Sequence, residues 1–105
     1  MRVLAFFAAT LFFQIDVSAQ PVRVMSYNIR YDNPADGPNA WSNRKEFLAD
    51  QVRTTSPDIL GVQESLPSQV DWLSSALKGY DRAGVGRDEN GSGESVTIFF
   101  RAERF

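Results

Sequence analysis

Hydrophobic and polar residues change their period several times along this chain of 105 residues, and each change predicts a different element. The first regular stretch alternates, with Val22, Val24 and Ser26 on one face, which is typical of a β-strand that ends at Asn28 or just after it. Turn-forming residues then fill positions 30–41 and predict a loop of about ten residues. A loop of that length is more often functional than idle.

A helix and a buried strand are predicted next. Asn43 and Glu46 have the spacing of a helix cap with an acidic partner. The helix ends near Thr55, because Pro57 disfavours helical dihedral angles in the residue before it. A nearly continuous apolar run at 59–63 follows, and such a run is typical of a strand that is covered on both faces.

A second amphipathic helix and two further strands complete the pattern. Between Ser65 and Gly79, apolar residues recur at helical spacing, at Leu66, Val70, Leu73 and Leu77. A third strand is predicted at 80–85, a glycine-rich loop at 84–93, and a fourth strand at 95–101. Strand, helix, strand, helix and then strands is the order of a layered α/β fold with helices on a sheet.

Residues 1–19 differ from the rest and are predicted to be a signal peptide that is cleaved after Ala19. A basic residue and an apolar run at 3–13 precede Val17 and Ala19, which suit positions minus three and minus one of a cleavage site. The run is shorter than the roughly 20 residues that a membrane-spanning helix needs, so a core helix or an uncleaved anchor is the less favoured alternative. We expect residues 20–105 to be secreted or periplasmic, with no transmembrane segment after cleavage.

The composition limits which kinds of catalysis and binding the given residues can support. The chain has 11 Lys and Arg against 13 Asp and Glu and a formal net charge of −2, so we expect no strong non-specific binding of nucleic acid. It has neither Cys nor His, which excludes thiol nucleophiles, disulfides and imidazole catalysis from the residues given. The remaining oxygen ligands suit hard cations such as Mg²⁺, Mn²⁺ or Ca²⁺. Nothing in the sequence indicates an obligate protein partner.

Two polar residues, Asn28 and Glu64, stand at the carboxyl ends of the first two predicted strands. In open α/β sheets ligands collect at those ends, so the two side chains are predicted to lie side by side at one edge and to bind one cation. Mg²⁺ in such a place keeps several waters and accepts a substrate phosphate as a further ligand. Spacing alone leaves a second interpretation open, in which Asn28 makes turn hydrogen bonds and Glu64 is solvated at a helix start.

The segments around these residues resemble the two N-terminal motifs of the endonuclease/exonuclease/phosphatase superfamily, in a secreted, mostly bacterial branch. The motifs are VMSYNIR at 24–30 and PDILGVQE at 57–64, and a third match is Glu94 leading into IFFR at 98–101. The resemblance implies a metal-dependent phosphoester hydrolase. It also implies a four-layered α/β sandwich of two packed sheets flanked by helices, of which residues 20–105 are an incomplete N-terminal part with one sheet face uncovered.

Carried over residue by residue, the resemblance implies that Glu64 is the metal ligand and that Asn28 lines the same site and helps to orient the ion or the phosphate. Glu94 matches an acidic position that supports catalysis in the nuclease members, with a solvated loop residue as the alternative. Arg30 is a candidate for binding a phosphate oxygen through its planar fork, and Arg44 for shaping the substrate entrance. For Arg30 a surface arginine after a strand is the alternative, and near Arg44 the alternative is that Trp41 only packs against the loop.

The superfamily pattern also implies an Asp/Asn pair, a catalytic His and a terminal Asp–His pair, and no His is present in these 105 residues. We therefore expect this chain to be inactive alone. The substrate stays open among nucleic acid, phosphoinositide, sphingolipid and small phosphate esters. Two other classes also stay open, a non-catalytic secreted module that binds Ca²⁺ or Mg²⁺ and a structural α/β domain.

Overall fold

The computed structural model describes residues 18–105, so the predicted signal peptide at 1–19 lies almost entirely outside the described residues and stays a prediction. The described part is a mixed α/β unit, as the sequence predicted. Its elements are β1 (Val24–Asn28), a 3₁₀ segment (Pro34–Asn39), α1 (Trp41–Thr55), β2 (Ile59–Ser65), α2 (Pro67–Ala76), β3 (Tyr80–Ala83) and β4 (Ser95–Arg101). Between 18 and 105, no helix has the length and apolar character that crossing a membrane requires.

The strands form one sheet in the order β1, β2, β4, β3. β1 and β2 run parallel, whereas β4 is antiparallel to both of its neighbours, β2 and β3. In the parallel pair, Val24 lies beside Ile59 and Asn28 lies beside Gln63. Because parallel strands point the same way, their carboxyl ends share one edge of the sheet. This edge, formed by Asn28, Gln63 and Glu64, is called the site rim below.

One face of the sheet packs against both helices and forms the core. From the strands it includes Leu60, Val62 and Phe99, each with 0% of its surface exposed. The helices contribute Leu48, Ala49, Val52, Val70 and Leu73 to the same cluster. Full burial of a large apolar side chain stabilises a fold by roughly 1.5–3 kcal/mol, so this one layer of contacts is the main source of stability in the described unit.

The opposite face of the sheet is uncovered within the described part of the chain. Val24 is 67% exposed, Val96 is 65% exposed and Ile98 is 44% exposed. In β1 the predicted alternation has the right period, but its valine face is the uncovered one, and Met25 and Tyr27 pack against the core instead. An apolar sheet face of this kind, left open as the family resemblance implied, marks a surface that a further layer can cover.

For β2 the expectation of cover on both faces is wrong within residues 18–105. Leu60 and Val62 are buried, whereas Ile59, Gly61 and Gln63 on the other face are only half-buried. The near-continuous apolar run arises because β2 lies between β1 and β4 in the sheet, and its second face joins the apolar surface described above.

The first helix begins earlier than the sequence predicted. It starts at Trp41 after Ala40, and the predicted cap Asn43 lies inside it, where its side chain donates to the backbone carbonyl of Pro38 at 3.2 Å. The end near Thr55 is confirmed, because Ser56 adopts a left-handed conformation and donates its N–H back into the last turn. The predicted loop at 30–41 contains the 3₁₀ segment, and the third strand ends at Ala83 rather than at 85.

Asp58 joins three segments at the edge of the sheet opposite the site rim. Its Oδ2 accepts the backbone N–H of Arg23 at 2.8 Å and lies 2.6 Å from Nη1 of Arg104. The hydrogen bond from Arg23 and then the contact with Arg104 lower the pKa of Asp58 below its ordinary value of 3.8. A lowered pKa means that these contacts stabilise the fold above pH 3.8 and that this stabilisation is lost as the pH falls through the lowered pKa.

Replacing Asp58 with Asn is expected to lower the melting temperature at neutral pH, because the charge that pairs with Arg104 is removed. The difference between variant and wild type should shrink on acidification and vanish well below pH 3.8, where the native carboxyl is protonated too. Melting temperatures measured between neutral and strongly acidic pH check this result. Asp81→Asn, at an exposed position of β3, is the control; a constant gap at every pH would contradict the prediction.

Candidate functional site

Asn28 and Glu64 meet at the site rim. Nδ2 of Asn28 donates to Oε1 of Glu64 at 2.9 Å, and Oδ1 of Asn28 accepts the backbone N–H of Arg30 at 2.9 Å. The predicted proximity of the two side chains is thus confirmed. Because an N–H donor engages Oδ1, the amide nitrogen of Asn28 must face the carboxylate. In this arrangement Asn28 orients Glu64 as a hydrogen-bond donor, and its service as a second metal ligand stays a prediction.

The backbone is unusual at Glu64 on the site rim and at Arg30, two residues after the end of β1. Arg30 has a φ of 56° and Glu64 has a φ of 60°, and both values lie in the left-handed region that side chains other than glycine disfavour. The register of β2 with β4 also shifts between Val62 and Ser65, as in a β-bulge, which re-aims a side chain at the end of a strand. Such conformations cost of order 1–3 kcal/mol each and cluster at functional sites.

A shallow pocket of about 380 Å³ lies beside Glu64 and also reaches Glu94. Its lining residues are Gln63, Glu64, Val85, Arg87, Glu94, Ser95 and Val96. Nη1 of Arg87 lies 3.5 Å from Oε2 of Glu94. The structure therefore brings two of the predicted site residues, Glu64 and Glu94, to one pocket and adds Arg87, which the sequence did not single out. The signal for Arg87 was weak, since it is one cation in a glycine-rich loop.

Arg30 is engaged by Asp36 in the structure. Its Nε lies 2.6 Å from Oδ2 and its Nη2 lies 2.7 Å from Oδ1, which is a two-point contact. This hydrogen bonding raises the pKa of Arg30 above its ordinary value and lowers the pKa of Asp36. A contact between Arg30 and a phosphate would require the pair to separate, and the predicted role of Arg30 in substrate binding stays a prediction.

Arg44 braces the segment between β1 and α1. Its Nε donates to the carbonyl of Asn39 at 2.6 Å, its Nη1 donates to the carbonyl of Ile29 at 2.9 Å, and the guanidinium lies 5.8 Å from the ring centre of Trp41. Its Nη2 is buried without a hydrogen-bond partner among the described residues. Arg44 also lines a second pocket of about 340 Å³ that includes Asn28. Its predicted role at the substrate entrance stays a prediction.

Gln69 is a buried polar residue near the site that the sequence reasoning missed. It is 0% exposed. Its Oε1 accepts the backbone N–H groups of Asp32 at 3.1 Å and Leu66 at 2.9 Å, and its Nε2 donates to the carbonyl of Arg30 at 2.9 Å. A signal was present, because a Gln at the third position of a helix that begins with proline reaches back to the residue before the helix.

The donor set at the site rim fits part of a site for a hard cation. One carboxylate held by an amide, with a second carboxylate in the same pocket, offers only oxygen ligands. Mg²⁺ tolerates such a set, because it usually keeps several waters and is held by one or two carboxylates together with substrate phosphate. Within 18–105, no three Asp, Glu, His or Cys side chains converge, so water, substrate or other residues would have to complete the coordination.

The sequence model of the Endonuclease/Exonuclease/phosphatase family matches residues 25–105. The chain belongs to the endonuclease/exonuclease/phosphatase family. The resemblance of its N-terminal motifs is thereby confirmed, and Asn28, Glu64 and Glu94 all lie within the matched range. A search among curated proteins gave no match.

Solved structures of two Bacteroides family members are similar to this chain. An endonuclease/exonuclease/phosphatase of Bacteroides vulgatus has 41% identity and a TM-score of 0.75, with 78% of this chain and 32% of that chain covered. A mannosyl-6-phosphatase of Bacteroides thetaiotaomicron has 37% identity and a TM-score of 0.74, with 79% and 32% covered. The 2′,3′-cyclic phosphatase ANGEL2 has 20% identity, a TM-score of 0.61 and coverages of 80% and 28%, a likeness that shows the fold alone.

The chain spans about a third of the length of these solved structures, 32% in the two Bacteroides proteins. Its sheet of four strands, with helices on one face, is a partial version of the family fold. The mannosyl-6-phosphatase at 37% identity supports a family of phosphoester hydrolases.

Proposed function

We propose that the protein that contains this chain hydrolyses a phosphoester with the help of a divalent cation bound by Glu64. The observation that carries the proposal is the hydrogen bond of 2.9 Å between Asn28 and Glu64 at the site rim, beside the pocket that Glu94 also lines. A carboxylate fixed at the carboxyl ends of two parallel strands lies where α/β sheets bind ligands. The family membership supports the same chemistry.

The residues of this chain would divide the work. Asn28 fixes one carboxylate oxygen of Glu64, so that the carboxylate is oriented before a cation arrives. A bound divalent cation supplies positive charge that stabilises the phosphoryl and leaving oxygens. Arg87, which lines the same pocket, partly neutralises Glu94 and presents a planar cation with which a phosphate oxygen can pair.

The activation of water is assigned to residues outside this chain. The family resemblance implies an Asp–His pair for that step, and the chain itself has no His. The residues described here would therefore bind and orient the cation and the phosphate, while deprotonation of the nucleophile takes place elsewhere. Without that pair, this chain is expected to be inactive alone.

A small phosphate ester is the substrate class that we favour. The net charge of −2 leaves this chain without the excess of positive charge that favours non-specific binding of a polyanion. One of the similar structures, at 37% identity, is a mannosyl-6-phosphatase, which acts within this class. The proposed cation is Mg²⁺, with Mn²⁺ or Ca²⁺ as alternatives. Secretion rests on the predicted signal peptide, and no protein partner is proposed.

Removal of divalent cations tests the proposal. The full-length protein, meaning this chain with the rest of its family domain, is expected to hydrolyse p-nitrophenyl phosphate, to lose this activity in EDTA and to regain it with Mg²⁺ or Mn²⁺. Release of nitrophenolate measures the rate. Phosphate release from mannose 6-phosphate and cleavage of a short oligonucleotide, compared under the same conditions, test the substrate class. Full activity in EDTA would contradict the metal dependence, and faster cleavage of the oligonucleotide would contradict the substrate class.

A further inference from the structure

We infer that Gln69 is a positioning residue that holds Asn28 and Glu64 in the geometry needed to bind a cation. It does so by joining the chain segment after β1 to the segment after β2. The inference rests on the proposed function, because it concerns the same cation site. Gln69 itself does not line the pocket beside Glu64, and its side chain is 0% exposed, so it acts through the backbone around it.

The hydrogen bonds of Gln69 span the two strand ends. Arg30 and Asp32 belong to the segment that follows β1, and Leu66 is the residue that follows β2. Nε2 of Gln69 donates to the carbonyl of Arg30, while Oε1 accepts from the N–H groups of Asp32 and Leu66. One buried side chain therefore ties the start of α2 to Arg30 and Asp32, which are 39 and 37 residues away from Gln69 in sequence.

The hydrogen bonds of Gln69 are connected to Asn28 through Arg30 and to Glu64 through Leu66. On the β1 side, Arg30 offers its carbonyl to Gln69 and its N–H to Oδ1 of Asn28. On the β2 side, Leu66 stands two residues after Glu64. Arg30 and Glu64 both have positive φ values, 56° and 60°, which persist only where the surroundings fix them. Loss of the Gln69 bonds would let both residues relax, and Nδ2 of Asn28 would separate from Oε1 of Glu64.

Only an amide of this length meets the requirement at position 69. The site needs an acceptor with two lone pairs facing two N–H groups and a donor facing a carbonyl, and both are present in a Gln side chain. Met has the length but no polar atoms of this kind. Glu keeps the acceptors but has no donor for the carbonyl of Arg30 when ionised, and it buries a charge.

The test replaces Gln69 with Met in the full-length protein and follows two readouts without turnover. The first is the NMR resonance of the Asn28 side-chain amide in the absence of metal, which reports the hydrogen bond to Glu64. The second is Mn²⁺ affinity by calorimetry. We expect the Asn28 resonance to move to the position of a solvated amide and the Mn²⁺ affinity to fall by about 10-fold to 100-fold, as for other residues that orient metal ligands.

Val70→Ala is the matched control, because Val70 is the next residue of α2 and is 7% exposed. It weakens the packing of the same helix and leaves the hydrogen bonds of Gln69 in place. The control should keep the wild-type Asn28 resonance and Mn²⁺ affinity at a similar loss of stability. An unchanged resonance and affinity in Gln69→Met, or equal effects in the two variants, would overturn the inference.

A measurement on the wild type decides the matter if Gln69→Met does not fold. Coupling between two equilibria is reciprocal, so Mn²⁺ or Mg²⁺ binding must stabilise the Gln69 bonds if those bonds favour binding. Hydrogen exchange of the Gln69 side-chain amide should therefore slow when Mg²⁺ is added, and an unchanged rate would overturn the inference. Failure of the proposed function would give a different result. The wild type would then bind neither Mn²⁺ nor Mg²⁺, or it would bind them with the same affinity as the Glu64→Gln variant.

Discussion

Replacing Glu64 with Gln is expected to lower kcat/KM for phosphoester hydrolysis by about 100-fold to 1,000-fold in the full-length protein, because a bound cation contributes several kcal/mol to the transition state. The substituted amide keeps the size of the side chain. Its oxygen can still accept the hydrogen bond that Asn28 donates to Oε1 at 2.9 Å, so the structure of the site rim is preserved. What is lost is the negative charge that attracts the cation. Rates measured across a series of Mg²⁺ concentrations should show weaker activation by Mg²⁺, with the activation curve shifted to higher Mg²⁺ concentration than in the wild type.

Glu89→Gln is the matched control for this substitution, because it removes the same charge from an exposed position in the loop at 84–93. It should leave kcat/KM and the Mg²⁺ dependence close to those of the wild type. Melting curves of both variants show that each is folded. A Glu64→Gln protein with unchanged rate and unchanged Mg²⁺ dependence would remove Glu64 from the cation site.

Replacing Phe99 with Ala is expected to reduce the free energy of unfolding by about 3–5 kcal/mol, the range for truncation of a buried aromatic residue. Phe99 is 0% exposed and lies on β4, opposite Leu60 on β2 and Arg82 on β3. Because β4 lies between β2 and β3, a cavity at Phe99 loosens the contact of the helices with the middle of the sheet. Urea unfolding followed by circular dichroism measures the change.

The same truncation at Phe47 provides the comparison, because Phe47 lies on α1 and is 66% exposed. Surface substitutions of this kind usually change the free energy of unfolding by less than about 0.5 kcal/mol. A loss at Phe99 no larger than the loss at Phe47 would contradict a core confined to one face of the sheet.

Much of the fold could be predicted because the periodicity of apolar residues in the sequence matches the burial pattern of the elements in the structure. β4 has the predicted limits, Ser95–Arg101, since strict alternation is visible when one face is buried and the other is not. The covered face of β1 was harder to assign, because valines mark one side and Met25 and Tyr27 mark the other. The start of α1 was misjudged because no side chain caps it, so the sequence carries no cap signal at Ala40.

The candidate site could be predicted only where it depends on strand ends. Asn28 and Glu64 meet because parallel strands end at one edge, a relation that follows from the order of elements. The ion pair of Arg30 with Asp36 depends on the path of the 3₁₀ segment, which turn-forming residues do not specify. The capping bond of Gln69 with Leu66 has a local signal, whereas its bonds to the segment after β1 depend on two distant segments meeting, which no local pattern encodes.

The parallel pairing of β1 with β2 has a consequence for how the site comes into being. Asn28 and Glu64 are 36 residues apart in sequence, and α1 lies between their strands. Closing such a long segment costs entropy before any distant contact repays it, so strand pairs of this type form late relative to helices. Neither strand forms the site on its own. Cation affinity would therefore arise only after β1, α1 and β2 have assembled.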